Sequence, residues 1–160
     1  MNIRVGHGID IHQLKSGIPL ILAGLKIKSK LGIVGHSDGD VVIHSLVDAI
    51  LGALAKGDIG TFFPSNDHEF KDCKSSMFLE KALKTMKENK YQILNIDINI
   101  ILEKPHLNTH ILNMRKNLSK LIKTDIENIS IKATTADQLG FIGSQKGIMS
   151  TSTILLIKNK

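Results

Sequence analysis

The sequence holds one cysteine, Cys73, no tryptophan and one tyrosine, Tyr91, among 160 residues. A single thiol excludes an intramolecular disulfide and a cysteine-rich zinc site, so any bound metal must rest on histidine and carboxylate. Stacking platforms for single-stranded nucleic acid are nearly absent as well. Arginine is limited to Arg4 and Arg115, and the surplus of 21 basic over 15 acidic side chains, a net charge of +6, is lysine scattered along the chain. Without clustered arginine, nucleic acid is not an expected partner, and the charge suits an anionic small molecule. No apolar run is long enough to cross a bilayer, so no membrane is expected. Ahead of Ile3 there is neither an apolar signal core nor a transit segment, and the chain as given reads as cytoplasmic. No Walker A, G-x-S-x-G or G-x-G-x-x-G pattern occurs, which leaves an NTPase, a serine hydrolase or a dinucleotide enzyme without support. With only three prolines and no linker or repeat, one domain over residues 1–160 is expected.

What is present is periodic. Ile3 and Val5, then Ile9 and Ile11, alternate around Gly6-His7-Gly8, which predicts an opening strand with a glycine bend. Residues 19–27 read as two short strands about Gly24. From an N-cap at Ser37 or Asp38, apolar residues at 42, 43, 46, 47, 50, 51 and 54 give a helix that Gly57 stops. A second helix is expected over 75–89 after a polar loop, and a third over 109–123. Leu94 to Leu102 alternate as a strand, with further strands over 128–134 and 151–157. The class is therefore α/β or α+β, a mixed sheet flanked by helices on one side.

Three clusters carry chemistry. Asp10 and His12, two apart on an extended segment, point to one face and can share a cation; two surface polar residues at a strand end are the bland alternative. Asp40, His44 and Asp48 are each four apart, a polar stripe on a helix otherwise apolar, where an ordinary solvated face is the competing explanation. Adding His44 to the first pair gives Asp/His/His with a fourth position open, the pattern of a catalytic zinc site. The run Lys132-Ala133-Thr134-Thr135-Ala136-Asp137, followed by Leu139 to Gly143, offers hydroxyls to phosphate and a carboxylate to magnesium, or simply caps a helix.

In this order the clusters resemble the 2-C-methyl-D-erythritol 2,4-cyclodiphosphate synthase family of the non-mevalonate isoprenoid pathway. The matching stretches are GHGIDIH, GHSDGDVVIHSLVDAILGALAKGDIGTFFP and IKATTADQLGFIG. The resemblance implies a homotrimer with active sites between subunits. Its substrate would be a cytidine diphosphate derivative, 4-diphosphocytidyl-2-C-methyl-D-erythritol 2-phosphate, cyclised with release of CMP. It also implies that Asp10, His12 and His44 hold Zn2+, that His36 and Thr135 steady the transition state, and that Asp137 holds Mg2+ or Mn2+. Substrate contacts would come from Asp10, His12, His36, Ser37, Asp58, Ile59, Gly60, Phe63, Pro64, Ser65, Asn66 and Asp67. Others would come from Leu102, Glu103, Lys104, Pro105, His106, Leu107 and Asn108 of the adjacent subunit, and from Thr134, Thr135, Asp137 and Phe141.

The chain departs from the family's common pattern at Asp137, where Glu is usual, at Ser65-Asn66-Asp67 in place of D-T-D, and at Ser144 and Lys146 in place of Arg and Glu. Two rival readings stand beside this one. A phosphohydrolase could use the same metal with water as nucleophile, and a binding module would show a closed four-ligand site or clustered arginine.

Overall fold

A computed structural model describes residues 2–63 and 73–159. The opening segment is one continuous strand, β1 (Ile3–Ser16). Its glycines are not a bend. They are the surface on which helix α1 (Val41–Ala53) lies, because a Cβ on Gly8 would come 2.1 Å from the Ser45 carbonyl oxygen and one on Gly6 would come 1.8 Å from that of Ala49. Ile3, Val5, Ile9 and Ile11 face the opposite side and are exposed.

Helix α1 starts later than its sequence suggests. Asp40, not Ser37 or Asp38, is the N-cap, with Oδ1 accepting from Val42 N at 3.1 Å and Ile43 N at 3.2 Å. The same carboxylate accepts from Ala23 N at 3.0 Å and Gly24 N at 2.6 Å, in the turn between β2 (Leu20–Leu22) and β3 (Leu25–Ile27). Burial pushes the Asp40 carboxyl up to about 6, although the N–H groups of Gly24, Ile43 and Ala23 partly offset it. Asp40 thus leaves the polar stripe it was assigned to and ties a hairpin to a helix.

The main sheet runs β4 (Leu31–Ile33), β1, β7 (Gly147–Lys158), β5 (Tyr91–Ile101) and β6 (Ile129–Thr134). Only β5 and β6 are parallel, so the sheet is mixed and the class α+β. Helix α1 packs on β1 and β7, α3 (Ser76–Glu88) on α1 and β5, and α4 (Ile111–Ile122) on β6 and α3. The core between these layers is aliphatic: Leu46, Ile50 and Leu51 of α1 meet Ile96, Ile98 and Ile100 of β5 and Ile148, Ile154 and Leu156 of β7.

Two strands run longer than their apolar alternation. Strand β7 begins at Gly147, paired with Gln13 of β1, and its Ser150 and Ser152 are fully buried, sharing hydroxyl hydrogen bonds of 3.0 and 2.8 Å with Ser45 of α1. Strand β5 begins at Tyr91, and a register shift between Ile93 and Asn95 takes Leu94 out of the pattern. Strand β4 and the short helices α2 (Ile59–Phe62) and α5 (Gly140–Gly143) are too brief to leave a periodic signal. Among the described residues no helix is long and apolar enough to cross a membrane.

Candidate metal centre

Asp10 and His12 share the face of β1 that carries Gly6 and Gly8, the face turned to α1. Because those glycines admit the helix so closely, His44 in the first turns of α1 reaches the strand. Asp10 Oδ2 lies 3.1 Å from His12 Nε2 and 3.1 Å from His44 Nδ1. One ligand atom from each residue lies within 4.8 Å of the others.

The proton positions suit a cation. His12 Nδ1 is 2.7 Å from the Val34 carbonyl oxygen, an acceptor only, so a neutral ring carries its hydrogen on Nδ1 and turns the Nε2 lone pair to Asp10. Burial would raise the Asp10 carboxyl, but hydrogen bonds and charge attraction from His12 and His44 when those rings carry a second proton outweigh it and hold the group at about 2. The hydrogen bond with Asp10 raises the His12 pKa above its ordinary value, against the effect of burial. An ionised carboxylate and two imidazoles, converging and only partly sheltered, are a donor set that could hold a metal ion such as zinc.

His44 is held from behind. Its Nε2 lies 2.8 Å from Ser75 Oγ and 3.2 Å from Ser37 Oγ. Ser75 donates its hydroxyl to Asp38 Oδ1 and its N–H to Asp38 Oδ2 at 3.1 Å. Sequence reading placed Ser37 among the substrate contacts and missed the Asp38 and Ser75 link, which joins residues 37 apart and leaves no local pattern. Asp48, the last of the proposed stripe, instead accepts from Ile59 N at 2.7 Å and steadies the 58–60 turn. Burial raises its pKa, with the N–H of Ile59 acting the other way. Asp58 caps α2, accepting from Thr61 N and Thr61 Oγ1, each at 2.8 Å.

The remaining predicted residues gather elsewhere. Leu102 N donates to the Thr134 carbonyl at 3.0 Å, and Glu103 Oε2 accepts from Ala136 N at 3.2 Å and Gln138 N at 3.4 Å. The Glu103 carboxylate therefore props the turn that presents Asp137, whose φ is 51°. Thr134, Thr135 and Asp137 are exposed, as are Lys104, His106 and Asn108, while Leu102 and Leu107 are buried. A cavity of about 620 Å³ opens beside Lys104 and Pro105, lined also by Lys28, Ser29, Lys30, Leu31 and Gln145. Phe141 on α5 is exposed, and so is His36 after β4; Phe63 is buried. Gly60 is exposed and Ile59 half-buried. Asp137 is not part of the Asp10, His12 and His44 group. Pro64, Ser65, Asn66 and Asp67 lie outside the described residues.

A sequence model of the YgbB family matches residues 3–157. The chain is 51% identical over 158 residues to the 2-C-methyl-D-erythritol 2,4-cyclodiphosphate synthase of Brachyspira hyodysenteriae, covering 99% of this chain and 100% of that protein. The structure of bifunctional IspDF from Campylobacter jejuni superposes with a TM-score of 0.95 at 38% identity, covering 99% of this chain, which spans only 43% of that longer one. The Plasmodium falciparum IspF structure in complex with CDP superposes at 0.88 with 40% identity, covering 99% of this chain and 98% of the other.

Proposed function

The chain belongs to the YgbB family, and from that membership we propose that it is one catalytic domain converting 4-diphosphocytidyl-2-C-methyl-D-erythritol 2-phosphate to 2-C-methyl-D-erythritol 2,4-cyclodiphosphate and CMP. The observation that carries this reading is the convergence of Asp10, His12 and His44 on one point, with an unshared side towards solvent. Asp10, His12 and His44 would hold Zn2+ and Asp137 would hold Mg2+ or Mn2+, ions that would supply positive charge to diphosphate oxygens during phosphoryl transfer.

This chain's residues have positioning work to do. The substrate's own 2-phosphate oxygen attacks the β-phosphorus; the new P–O bond closes the ring, and the bond from the β-phosphorus to the bridging oxygen breaks, leaving with CMP. No side-chain nucleophile is needed. The main obstacle is repulsion between phosphates, which hydrogen bonds from His36 and Thr135 reduce. The 58–60 turn, braced by Asp48 and by the Asp58 cap, is suited to the erythritol, and residues 102–108 to cytosine and ribose. Holding both ends of the substrate turns the reaction into an in-line approach of two tethered groups.

In this reading the site is completed by segment 102–108 of a neighbouring subunit in a homotrimer. Incubation with the cytidylylated substrate and divalent ions, followed by phosphorus NMR, tests the reading. Equimolar CMP and a cyclic diphosphate are expected. Release of inorganic phosphate would instead indicate hydrolysis.

A further inference from the structure

Ser75 occupies the N-cap position of α3, where a serine hydroxyl ordinarily accepts from the helix's first N–H groups, yet it makes no capping hydrogen bond. Its side chain is fully buried and turned to Asp38 and His44 instead. From this geometry we infer that Asp38 and Ser75 are positioning residues for the metal centre, fixing the hydrogen of His44 on Nε2 so that Nδ1 is the nitrogen offered to the metal. The inference rests on the reading of Asp10, His12 and His44 as ligands.

A carboxylate can only accept, so Asp38 takes both hydrogens Ser75 has, the N–H at 3.1 Å and the hydroxyl. With that hydrogen committed, Ser75 Oγ has only lone pairs for His44 Nε2 at 2.8 Å, so Nε2 is the donor in this closer contact, and Ser37 Oγ, 3.2 Å from Nε2 and 3.3 Å from Ser75 Oγ, can turn its own hydrogen to the second lone pair of Ser75. A neutral imidazole has one ring hydrogen, so Nδ1 is bare, and Nδ1 is the atom 3.1 Å from Asp10 Oδ2. His12 reaches the same arrangement through the Val34 carbonyl with its nitrogens exchanged, metal-facing Nε2 and anchored Nδ1. Each imidazole thus has an acceptor behind it that sets tautomer and ring orientation, which raises ligand basicity. The Asp38 carboxylate is itself fixed, since Oδ1 also accepts from Asp40 N at 3.3 Å.

Asp38→Asn tests the direction of the chain of hydrogen bonds. An amide cannot accept from all three donors around it, so either a backbone N–H loses its acceptor or the amide donates to Ser75 and reverses the hydroxyl towards His44. Zinc affinity, measured by competition with a chromophoric chelator, should fall about ten- to hundredfold in Asp38→Asn and in Ser75→Ala, and nitrogen NMR of the zinc-loaded wild type should find His44 protonated at Nε2. Thermal melts of the metal-free proteins separate lost affinity from lost folding, and the wild-type tautomer decides the matter if neither variant folds. Unchanged affinity in folded Ser75→Ala, or zinc on Nε2 of His44, would overturn this inference alone. A wild type that holds no zinc would overturn the ligand reading along with it.

Discussion

Asp10 faces two imidazoles, and the consequences are set by which group holds a proton at a given pH. Its carboxyl, held at about 2, stays ionised under any working condition, so protons compete with metal at the imidazoles. The pKa of His12 is raised, chiefly by the hydrogen bond with Asp10, so the ring is protonated to a higher pH than a free histidine. Metal must displace that proton. Zinc affinity is therefore expected to be low near pH 5, to rise through the range around and above pH 6.5, and to level off once His12 is neutral. Chelator competition across that range checks it, and an affinity independent of pH would count against His12 as ligand. His44→Ala removes a ligand outright and should lose stoichiometric zinc by elemental analysis, together with at least about a hundredfold in turnover. Asp137 belongs to a different group. One methylene shorter than the usual Glu, it would hold the magnesium ion proposed there with a less favourable reach, because that ion tolerates little departure from its octahedral oxygen shell. Asp137→Glu should lower the magnesium concentration for half-maximal activity, and Asp137→Ala should cut turnover while zinc stays bound; identical magnesium titrations would reduce Asp137 to a turn residue.

At the scale of elements, the metal centre depends on how closely a helix lies against a strand. Gly8 makes that contact, and a methyl group there meets a backbone carbonyl of α1, which no side-chain rotation relieves. Gly8→Ala is expected to destabilise the protein by about 3 kcal/mol in urea titrations and to weaken zinc binding as well, since the displaced helix carries His44 away from Asp10. Unchanged stability would mean that α1 shifts without cost. The same contact explains what was legible in the sequence and what was not. Spacing put Asp10 and His12 on one face of a strand and His44 on a helix, and apolar period located α1, α3, α4 and most of β5 and β6. Period could not reveal that Gly6 and Gly8 are a packing surface, because a glycine reads alike in a bend and at a close approach. Nor could it assign Asp40, Asp48 and Ser75, whose hydrogen-bond partners lie far along the chain. Helical spacing of four residues made a stripe of Asp40, His44 and Asp48, but only His44 faces the centre, because an N-cap lies outside the helical repeat and Asp48 is drawn to the 58–60 turn.

Among the described residues, helices cover one face of the sheet and leave the other open. On the open face Val5 is 66% exposed, Ile11 51%, Ile9 49% and Ile3 42%, an apolar strip along a 14-residue strand that nothing among the described residues covers. Such a strip suits burial against further copies of the chain. Light scattering should accordingly give three times the 17.6 kDa chain mass, and a monomer under active conditions would end the trimer reading. The sharper test is functional. If each site takes Asp10, His12 and His44 from one subunit and Thr135 with segment 102–108 from the next, His44→Ala and Thr135→Ala damage opposite halves. Each variant alone should then be inactive. In trimers formed by co-expressing the two in equal amounts, a working site needs the Thr135→Ala chain on its zinc side and the His44→Ala chain on the other. Random assembly satisfies that at about one quarter of all sites, so about a quarter of wild-type turnover should return. Were each site contained within one chain, every site would carry one lesion or the other, and mixing would restore nothing.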